Sequence, residues 1–403
     1  MQGKSIWKGM EMSNSPSPAK VGVIGTGFIG SGLVKTLMLQ SDIQVSRVLT
    51  RRPLASLSDV PWKEHLTNSA DDLIENSDVV VECSGDVLYA SKIIKAAFAA
   101  GKPVVTMNSE LHVTTGSWFV GKGYLTEAEG DQPGCLAALN ENLRQMGFRP
   151  VVYGNIKGFL NEDPKPEEMA YWGKRNHLSL PMVTSFTDGT KVEIEQALVA
   201  NGLGADIFAQ GMARPKAASV NDGALRLAEM AESLGHPISD YILCKTGPAG
   251  VFITARYDQA HHDALQYLKL GDGPYYTLIM PFHLCYMEIP KTIRRALEGR
   301  APLLTNSANP VVSVGAVAKH DMKAGTKVPY GIGSFDFRGK AVRIREHAGH
   351  LPIGLLRDAV LAHDVEKGQL LTFDDVELTH VTAVSMWKEI EAKALATAPT
   401  FID

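Results

Sequence analysis

The sequence predicts an α/β protein in which a doubly wound parallel sheet is followed by a mixed α+β domain and a small β-rich domain. Strand and helix patterns alternate through the first part of the chain, which is typical of a parallel sheet. The alternation stops near residue 153, and the composition changes again after Asn309-Pro310. A chain of 403 residues is also too long for one hydrophobic core. We therefore expect domains at residues 19–152, 153–305 and 310–385, after a disordered leader at residues 1–18.

A glycine-rich loop follows the first predicted strand and comes directly before an apolar helical pattern. Its glycines have the spacing G-x-G-x-x-G. The first glycine permits a tight turn, the second lets a pyrophosphate approach the backbone, and the third lets the helix pack against the strand. The phosphates then lie at the free N–H groups of the helix N-terminus. This pattern predicts a Rossmann-type dinucleotide site, and the residues expected at the cofactor are Gly25, Gly27, Phe28, Ile29 and Gly30.

The end of the second predicted strand, residues 43–49, indicates which dinucleotide is bound. An NAD enzyme usually has Asp or Glu about 20 residues after the last glycine. This chain has Thr50, Arg51 and Arg52 there. Guanidinium groups bind a 2′-phosphate bidentately and stack on adenine. We therefore expect Arg51 and Arg52 to select NADPH (NADP) as the cofactor, and the alternative is a pair of solvated arginines before the turn at Pro53.

Two further strand ends are expected beside the nicotinamide, because ligands of such sheets bind beyond the carboxyl ends of the strands. Residues 77–85 predict a buried strand that ends at Cys83, Ser84 and Gly85, and residues 103–107 predict a strand that is followed by Asn108. We expect these four residues to contact the cofactor. Glu110 lies just beyond them and is a catalytic candidate, with a solvated carboxylate at a helix start as the alternative.

The second domain breaks the alternation of strands and helices. Strand-like runs cover residues 182–187 and 192–198, and Asp188-Gly189 between them is a typical hairpin turn. Further strands are expected at residues 250–256 and 275–279. These runs predict a mixed α+β domain that is built onto the cofactor domain and holds the substrate.

Lysines are the first candidates for carbonyl chemistry, because an ammonium group stabilises charge on oxygen and can donate a proton. Lys157 lies between two glycines at the join of the first two domains, and Lys245 precedes a Gly/Pro-rich loop. Glu195 and His283 are further catalytic candidates, and their alternatives are a structural ion pair and a hydrogen-bonded core histidine. The candidate ligands for polyol hydroxyls or for a divalent ion are Glu195, Asn201, His283 and Glu288.

Charge and composition exclude several other classes of protein. The net charge of −4 argues against a general nucleic-acid binder and gives no sign of membrane-surface binding. No uninterrupted apolar run approaches the roughly 18 residues of a membrane span. The 4 cysteines and 12 histidines have no metal-binding spacing. We expect a cytoplasmic homo-oligomer with reduced thiols and a small-molecule substrate, without nucleic-acid or membrane partners; a divalent metal stays an open alternative.

Two families resemble parts of this sequence. Residues 82–85 and 101–108 are similar to the cofactor domain of homoserine dehydrogenases, which have a lysine where this chain has Ser109. A wider resemblance, over roughly residues 19–385, is to the deoxyxylulose-5-phosphate reductoisomerase-like oxidoreductases, which have an arginine at the position of Met280. The segments that carry it are 107–110, 129–135, 154–161, 188–191, 245–252, 273–276 and 281–284.

The wider resemblance implies a homoserine-dehydrogenase-like front and a C-terminal SAF-type domain. The strings that begin at His320-Asp321 and His363-Asp364 look like that module. The resemblance also implies an NADPH-dependent oxidoreductase that reduces a carbonyl of a small polyhydroxylated substrate (a sugar, sugar acid or sugar phosphate), with reduction coupled to isomerisation. The alternatives are an amino-acid dehydrogenase like homoserine dehydrogenase, and an NADP-binding sensor or scaffold without turnover.

Overall fold

The computed structural model describes residues 17–399 and residue 401. The leader expected at residues 1–18 therefore lies outside the described residues, apart from Ser17 and Pro18. The described chain forms a parallel sheet, then a mixed sheet, then small antiparallel sheets. This order confirms the α/β fold class that the sequence predicts.

The first sheet has six parallel strands in the order β3-β2-β1-β4-β5-β6. Its strands are β1 (Ala19–Ile24), β2 (Ile43–Leu49), β3 (Leu66–Thr67), β4 (Val79–Glu82), β5 (Val104–Thr106) and β6 (Leu125–Glu127). The central strands are runs of buried apolar side chains, as expected for a sheet that is covered on both faces. The strand order reverses beside β1, so the glycine loop opens at the switch point where such sheets bind ligands.

Short helices connect these strands. They are α1 (Phe28–Leu37), α2 (Ala70–Glu75), α3 (Val87–Ala99), α4 (Ser109–Leu111) and α5 (Ser117–Phe119). A π-helical segment, His112–Gly116, separates α4 from α5. Asp86 caps α3, since its side chain accepts a hydrogen bond from the Tyr89 N–H.

The second sheet has the order β10-β9-β7-β8, and only β7 and β8 are parallel. Its strands are β7 (Arg149–Lys157), β8 (Ile238–Leu243), β9 (Val251–Arg256) and β10 (Tyr275–Met280). The accompanying helices are α6 (Gln132–Gln145), α7 (Pro166–Asn176), α8 (Leu180–Thr187), α9 (Thr190–Leu203), α10 (Val220–Leu234), α11 (His262–Tyr267) and α12 (Ile289–Leu297). Helix α10 covers one face, and α6 and α9 cover the other. Helix α12 returns to the first sheet, where Ile289 and Ile293 are buried.

The strands expected at residues 182–187 and 192–198 are wrong, because both segments are helical. Asp188-Gly189 is not a hairpin turn; Gly189 has a φ of 89° and begins α9. Every residue of α9 is buried except Gly202. A helix that is surrounded on all sides needs no polar face, so the usual helical periodicity is absent from its sequence.

The third part of the chain contains two small antiparallel sheets. Its elements are β11 (Val312–Ala318), β12 (Lys327–Tyr330), β13 (Phe337–Arg343), β14 (Arg357–Leu361), β15 (Val376–Glu377) and the terminal helix α13 (Val381–Ala396). The two His-Asp strings form equivalent turns that bind each other. Asp321 accepts a hydrogen bond from the Lys367 N–H, and Asp364 accepts one from the Ala324 N–H. The repeat therefore has a structural explanation, with no catalytic cluster required.

The second and third parts share one hydrophobic core. Strands β11 and β13 bury Val314 and Ala341 in the same cluster as Ile194 and Leu198 of α9. All four cysteines are free thiols. In the part of the chain that the structure describes, no helix combines the length and apolar character that a bilayer crossing requires.

A buried carboxyl at this shared core predicts a pH-dependent stability. Burial raises the pKa of Glu193 to about 7, although the Ala341 N–H and the cation Arg338 act in the opposite direction. In the unfolded chain this carboxyl ionises near its ordinary pKa of 4.5, so keeping it protonated in the folded chain costs folding free energy as the pH rises from there to about 7. Glu193→Gln keeps the acceptor oxygen and should gain about 1–3 kcal/mol over the parent at pH 8, with no gain below pH 4.5.

Thermal or denaturant melts at a series of pH values measure this difference. Glu167→Gln is the control, because Glu167 is an exposed residue of α7. A Glu193→Gln gain that is equal at both ends of the pH range would contradict the prediction.

Candidate active site

One large cleft runs between the three parts of the molecule. Its volume is about 1370 Å³. The first part contributes the glycine loop and the ends of β2, β4 and β5, and the second contributes residues of β7, α8 and α9. The third part closes one side with residues 329–332 and with Ile353, Gly354, Leu356 and Arg357.

The glycine loop has the shape that a pyrophosphate requires. Gly25 has a φ of 109°, which an L side chain rarely adopts. A Cβ on Gly30 would lie 2.1 Å from the Gly25 carbonyl oxygen, whereas a Cβ on Gly27 would meet nothing within 4 Å. Gly27 therefore borders open space at the N-terminus of α1, and the first turn of α1 contains no acidic residue. These features fit a dinucleotide phosphate at the helix N-terminus.

The arginines expected at the 2′-phosphate also line the cleft. Arg51 Nη1 lies 2.9 Å from Asp86 Oδ2, and its guanidinium carbon lies 4.6 Å from the centre of the Tyr89 ring. The Arg52 N–H donates to Thr50 Oγ1 at 3.1 Å, which fixes the turn after β2. Both residues are exposed, so they are open to an anionic ligand.

Of the other residues expected to contact the cofactor, five line the cleft and one is buried. Phe28, Ile29, Cys83, Ser84 and Gly85 line the cleft. Asn108 is fully buried, and its amide donates to Glu82 Oε2 at 2.9 Å while its carbonyl oxygen accepts from the Leu111 N–H. Glu82 also accepts from the Ser84 N–H at 2.7 Å. Through Glu82, Asn108 therefore supports the loop at Ser84, which lines the cleft.

A buried lysine that the sequence analysis did not select lies at the centre of the site. Lys191 Nζ lies 2.7 Å from Ser109 Oγ, 3.1 Å from Glu110 Oε2 and 3.7 Å from Asp131 Oδ2. Burial alone lowers the pKa of Lys191, but the nearby carboxylates outweigh it and hold the pKa above its usual value. Lys191 is thus a fixed ammonium group at the cleft wall. Ser109 is the position at which homoserine dehydrogenases have a lysine, and here the amine reaches it from α9.

A second lysine lies across the same face of α9. Lys157 Nζ is 3.9 Å from Glu195 Oε2, and the Asn155 amide donates to that oxygen at 3.1 Å. Burial raises the pKa of Glu195 to about 7, while Lys157 acts in the opposite direction. A carboxyl with such a pKa can hold or release a proton near neutral pH. Residues 191 and 195 are one helical turn apart, so both face the cleft.

His283 lies at the rim of this cluster. Its Nδ1 is 3.2 Å from the Gly130 carbonyl oxygen, an arrangement in which Nδ1 carries the proton and Nε2 is left as an acceptor. Asp131 and Gln132 follow in the cleft wall. The sequence candidates Glu110, Lys157, Glu195 and His283 therefore line the same cleft as Lys191.

Three other candidates of the second domain do not line the cleft, as far as the described residues show. Lys245 is exposed beside it. Asn201 holds the backbone of Val311 and Val312, which begins the third part of the chain. Glu288 accepts from the Leu284 N–H at 2.7 Å and organises the turn after β10.

A histidine and a carboxyl group are buried side by side beneath the cluster. His112 Nε2 lies 3.3 Å from Glu127 Oε2, and neither side chain is exposed to solvent. Burial lowers the pKa of His112 to about 3 and raises that of Glu127 well above its usual value. Within residues 17–399 and 401, no group of three or more His, Cys, Asp or Glu side chains is arranged to hold a metal ion.

Two family models match successive parts of the chain. Residues 25–118 match the family model of the homoserine dehydrogenase NAD-binding domain. Residues 130–289 match the family model of the catalytic domain of oxidoreductase DRL. A search of curated proteins returned no match. The chain is an NAD(P)-dependent oxidoreductase.

Several solved structures resemble the chain at low identity. A UDP-N-acetylglucosamine 3-dehydrogenase from Acidithiobacillus ferrooxidans is 12% identical, with a TM-score of 0.42 over 72% of this chain and 92% of that chain. A dehydrogenase from Clostridium difficile is 12% identical, with a TM-score of 0.38 over 70% and 92% of the two chains. An NAD-binding protein from Listeria innocua is 12% identical, with a TM-score of 0.33 over 72% and 89%.

The two loop glycines should respond differently to alanine. Gly27→Ala places a methyl group in the open space expected to hold a pyrophosphate, so it should fold normally and bind the reduced nicotinamide cofactor at least about tenfold more weakly. Gly30→Ala forces a clash with the Gly25 carbonyl and should also cost about 1–3 kcal/mol of stability. Melting curves and fluorescence titration with the reduced cofactor measure both effects. Unchanged cofactor affinity in Gly27→Ala would place the pyrophosphate elsewhere.

Proposed function

We propose that the protein uses NADPH to reduce a carbonyl of a small polyhydroxylated compound (a sugar, sugar acid or sugar phosphate), with reduction coupled to isomerisation as in reductoisomerases. The observation that carries the proposal is the ammonium group of Lys191. It lies in the same cleft as the glycine loop, beside Ser109 and Glu110 at the carboxyl end of β5. That end of the sheet is where a nicotinamide lies in folds of this type.

Each residue of the cluster has a distinct part in this chemistry. A bound reduced nicotinamide would supply the hydride. Lys191 stays charged, so it stabilises negative charge as it develops on the carbonyl oxygen. Glu195 can donate the proton that completes the alcohol. The nearby Lys157 ammonium group then stabilises the Glu195 carboxylate that remains.

The polar lining supports a substrate with several hydroxyl groups. Glu110 and Asp131 present acceptors next to Lys191, and His283 offers a ring nitrogen at the rim. Isomerisation of a hydroxy ketone requires a base that removes a hydroxyl proton before the carbon skeleton rearranges, and Glu110 and Asp131 are in place for that step. The equivalent turns at Asp321 and Asp364 support an SAF-type module in the third part of the chain.

One observation favours a second candidate function. The Lys191 ammonium occupies the neighbourhood of Ser109, where homoserine dehydrogenases have their lysine. An amino-acid dehydrogenase of that type would use the same charge on the same kind of oxygen. NADPH oxidation with a panel of sugars, sugar phosphates and aspartate semialdehyde separates these two candidates, and oxidation with none of them would favour a sensor or scaffold.

Lysine variants test which side chains act on the carbonyl. We expect Lys191→Ala to lower kcat by about 10²–10⁴-fold, because it removes the charge that faces the developing oxyanion. Lys157→Ala should also lower kcat, and NADPH affinity should stay near the parent value in both. Lys245→Ala serves as the comparison, because Lys245 is a lysine candidate from the sequence that is exposed outside the cleft lining. Steady-state kinetics that show a large loss in Lys245→Ala and none in Lys191→Ala would reverse the assignment.

The cofactor preference is tested at Arg51. The parent should bind NADPH more tightly than NADH, because a 2′-phosphate forms charge-assisted hydrogen bonds with guanidinium groups. Arg51→Ala should lose about tenfold to a hundredfold in NADPH affinity and much less in NADH affinity. Calorimetric or fluorescence titration of both cofactors gives these ratios. Equal affinities in the parent would refute the preference.

A further inference from the structure

The third part of the chain reaches the cofactor end of the cleft through one arginine. Arg357 is the first residue of β14 and lines the cleft together with Arg51 and Arg52. Its Nη1 lies 3.1 Å from Asp86 Oδ2. Arg51 Nη1 lies 2.9 Å from the same oxygen. Two guanidinium groups from distant parts of the sequence therefore meet at one carboxylate.

Asp86 holds both arginines in defined positions. Its Oδ1 accepts a hydrogen bond from the Tyr89 N–H at 3.0 Å, as the N-cap of α3, and the residue is only 6% exposed. The two arginine side chains retain 56% and 41% of their exposure, so much of each guanidinium still faces open space. The carboxylate thus orients the arginines without enclosing them.

The balance of charge at this end of the cleft is positive. Arg51 and Arg357 pair with one buried carboxylate, Asp86, and Arg52 lines the same cleft. Asp358 lies 3.7 Å from Arg357 Nε, but its carboxylate is 72% exposed and well hydrated, so its pairing is weak. An anion with several acceptor oxygens would complete the set, and a phosphate group is the ligand that guanidinium groups bind best.

We propose that Arg357 is part of the subsite for the 2′-phosphate of NADPH, so that cofactor selection is shared between the first and third parts of the chain. The inference rests on the proposed use of NADPH. If Arg357 only tied β14 to α3, its removal would weaken the structure and affect both cofactors alike. If Arg357 contacts the phosphate, its removal weakens binding only of ligands that carry a 2′-phosphate.

The test compares ligands with and without a 2′-phosphate on the full-length protein. Fluorescence titration gives Kd for NADPH and NADH, and calorimetry gives Kd for adenosine 2′,5′-bisphosphate and ADP. Arg357→Ala should weaken NADPH and the 2′,5′-bisphosphate by about tenfold and should leave NADH and ADP within about twofold of the parent. Arg345→Ala is the control; it removes the same charge from an exposed position in the same part of the chain, and the ratios should stay unchanged.

Two further outcomes distinguish this inference from the proposed function. A parent that prefers NADPH and keeps its preference in Arg357→Ala would overturn the role of Arg357 and leave the NADPH assignment standing. A parent without any preference would overturn the NADPH assignment itself. If Arg357→Ala melts at a lower temperature than the parent, Arg357→Gln replaces it in the test, because the glutamine amide can still donate a hydrogen bond to Asp86. The same selective loss in the glutamine variant supports the phosphate contact, and an unchanged ratio overturns it.

Discussion

The buried helix α9 places a demand on the whole structure, because its polar side chains depend on hydrogen-bond partners from other segments and not on water. Gln196 donates to backbone carbonyls of β7 and β8, Asn201 bonds the start of the third part of the chain, and Glu193 accepts from β13. An unpaired polar group in such a position would cost on the order of 1–3 kcal/mol. The second and third parts of the chain therefore both supply partners to this helix.

The same constraint gives the site its rigidity. Lys191 and Glu195 project from α9 one turn apart, so their spacing is set by a helix that is packed on every side. Lys191 is itself buried, and three partners on other segments fix its ammonium group. A charge that is already oriented needs little reorganisation when negative charge develops opposite it, which is the condition for electrostatic stabilisation of a transition state. The features that make α9 costly to bury also make it a suitable support for catalysis.

Sequence patterns predict the cofactor half of the molecule well and the substrate half poorly, for physical reasons. The strand, glycine loop and helix around Gly25 depend on local geometry, which the residues themselves specify. In α9, however, apolar Val192 and Ile194 alternate with Glu193 and Glu195, which is the period of a half-buried strand. The charged members of this alternation are satisfied by distant segments, which no local pattern reveals. Two features of the sequence were available as signals for Lys191. It belongs to the segment 188–191 that carries the wider family resemblance, and Ser109 stands where homoserine dehydrogenases have a lysine.

The cleft is a product of all three parts of the chain, and the third part affects both of its ends. At the substrate end, β13 and β11 pack against α9, so they hold the helix that carries Lys191 and Glu195. At the cofactor end, Arg357 meets Asp86 above the first sheet. Both contacts depend on how the third part packs against the other two. The two ends of the cleft therefore rely on the same interfaces. A disturbance of that packing would thus affect both ends of the cleft, even though none of the described residues of the third part belongs to the polar cluster around Lys191.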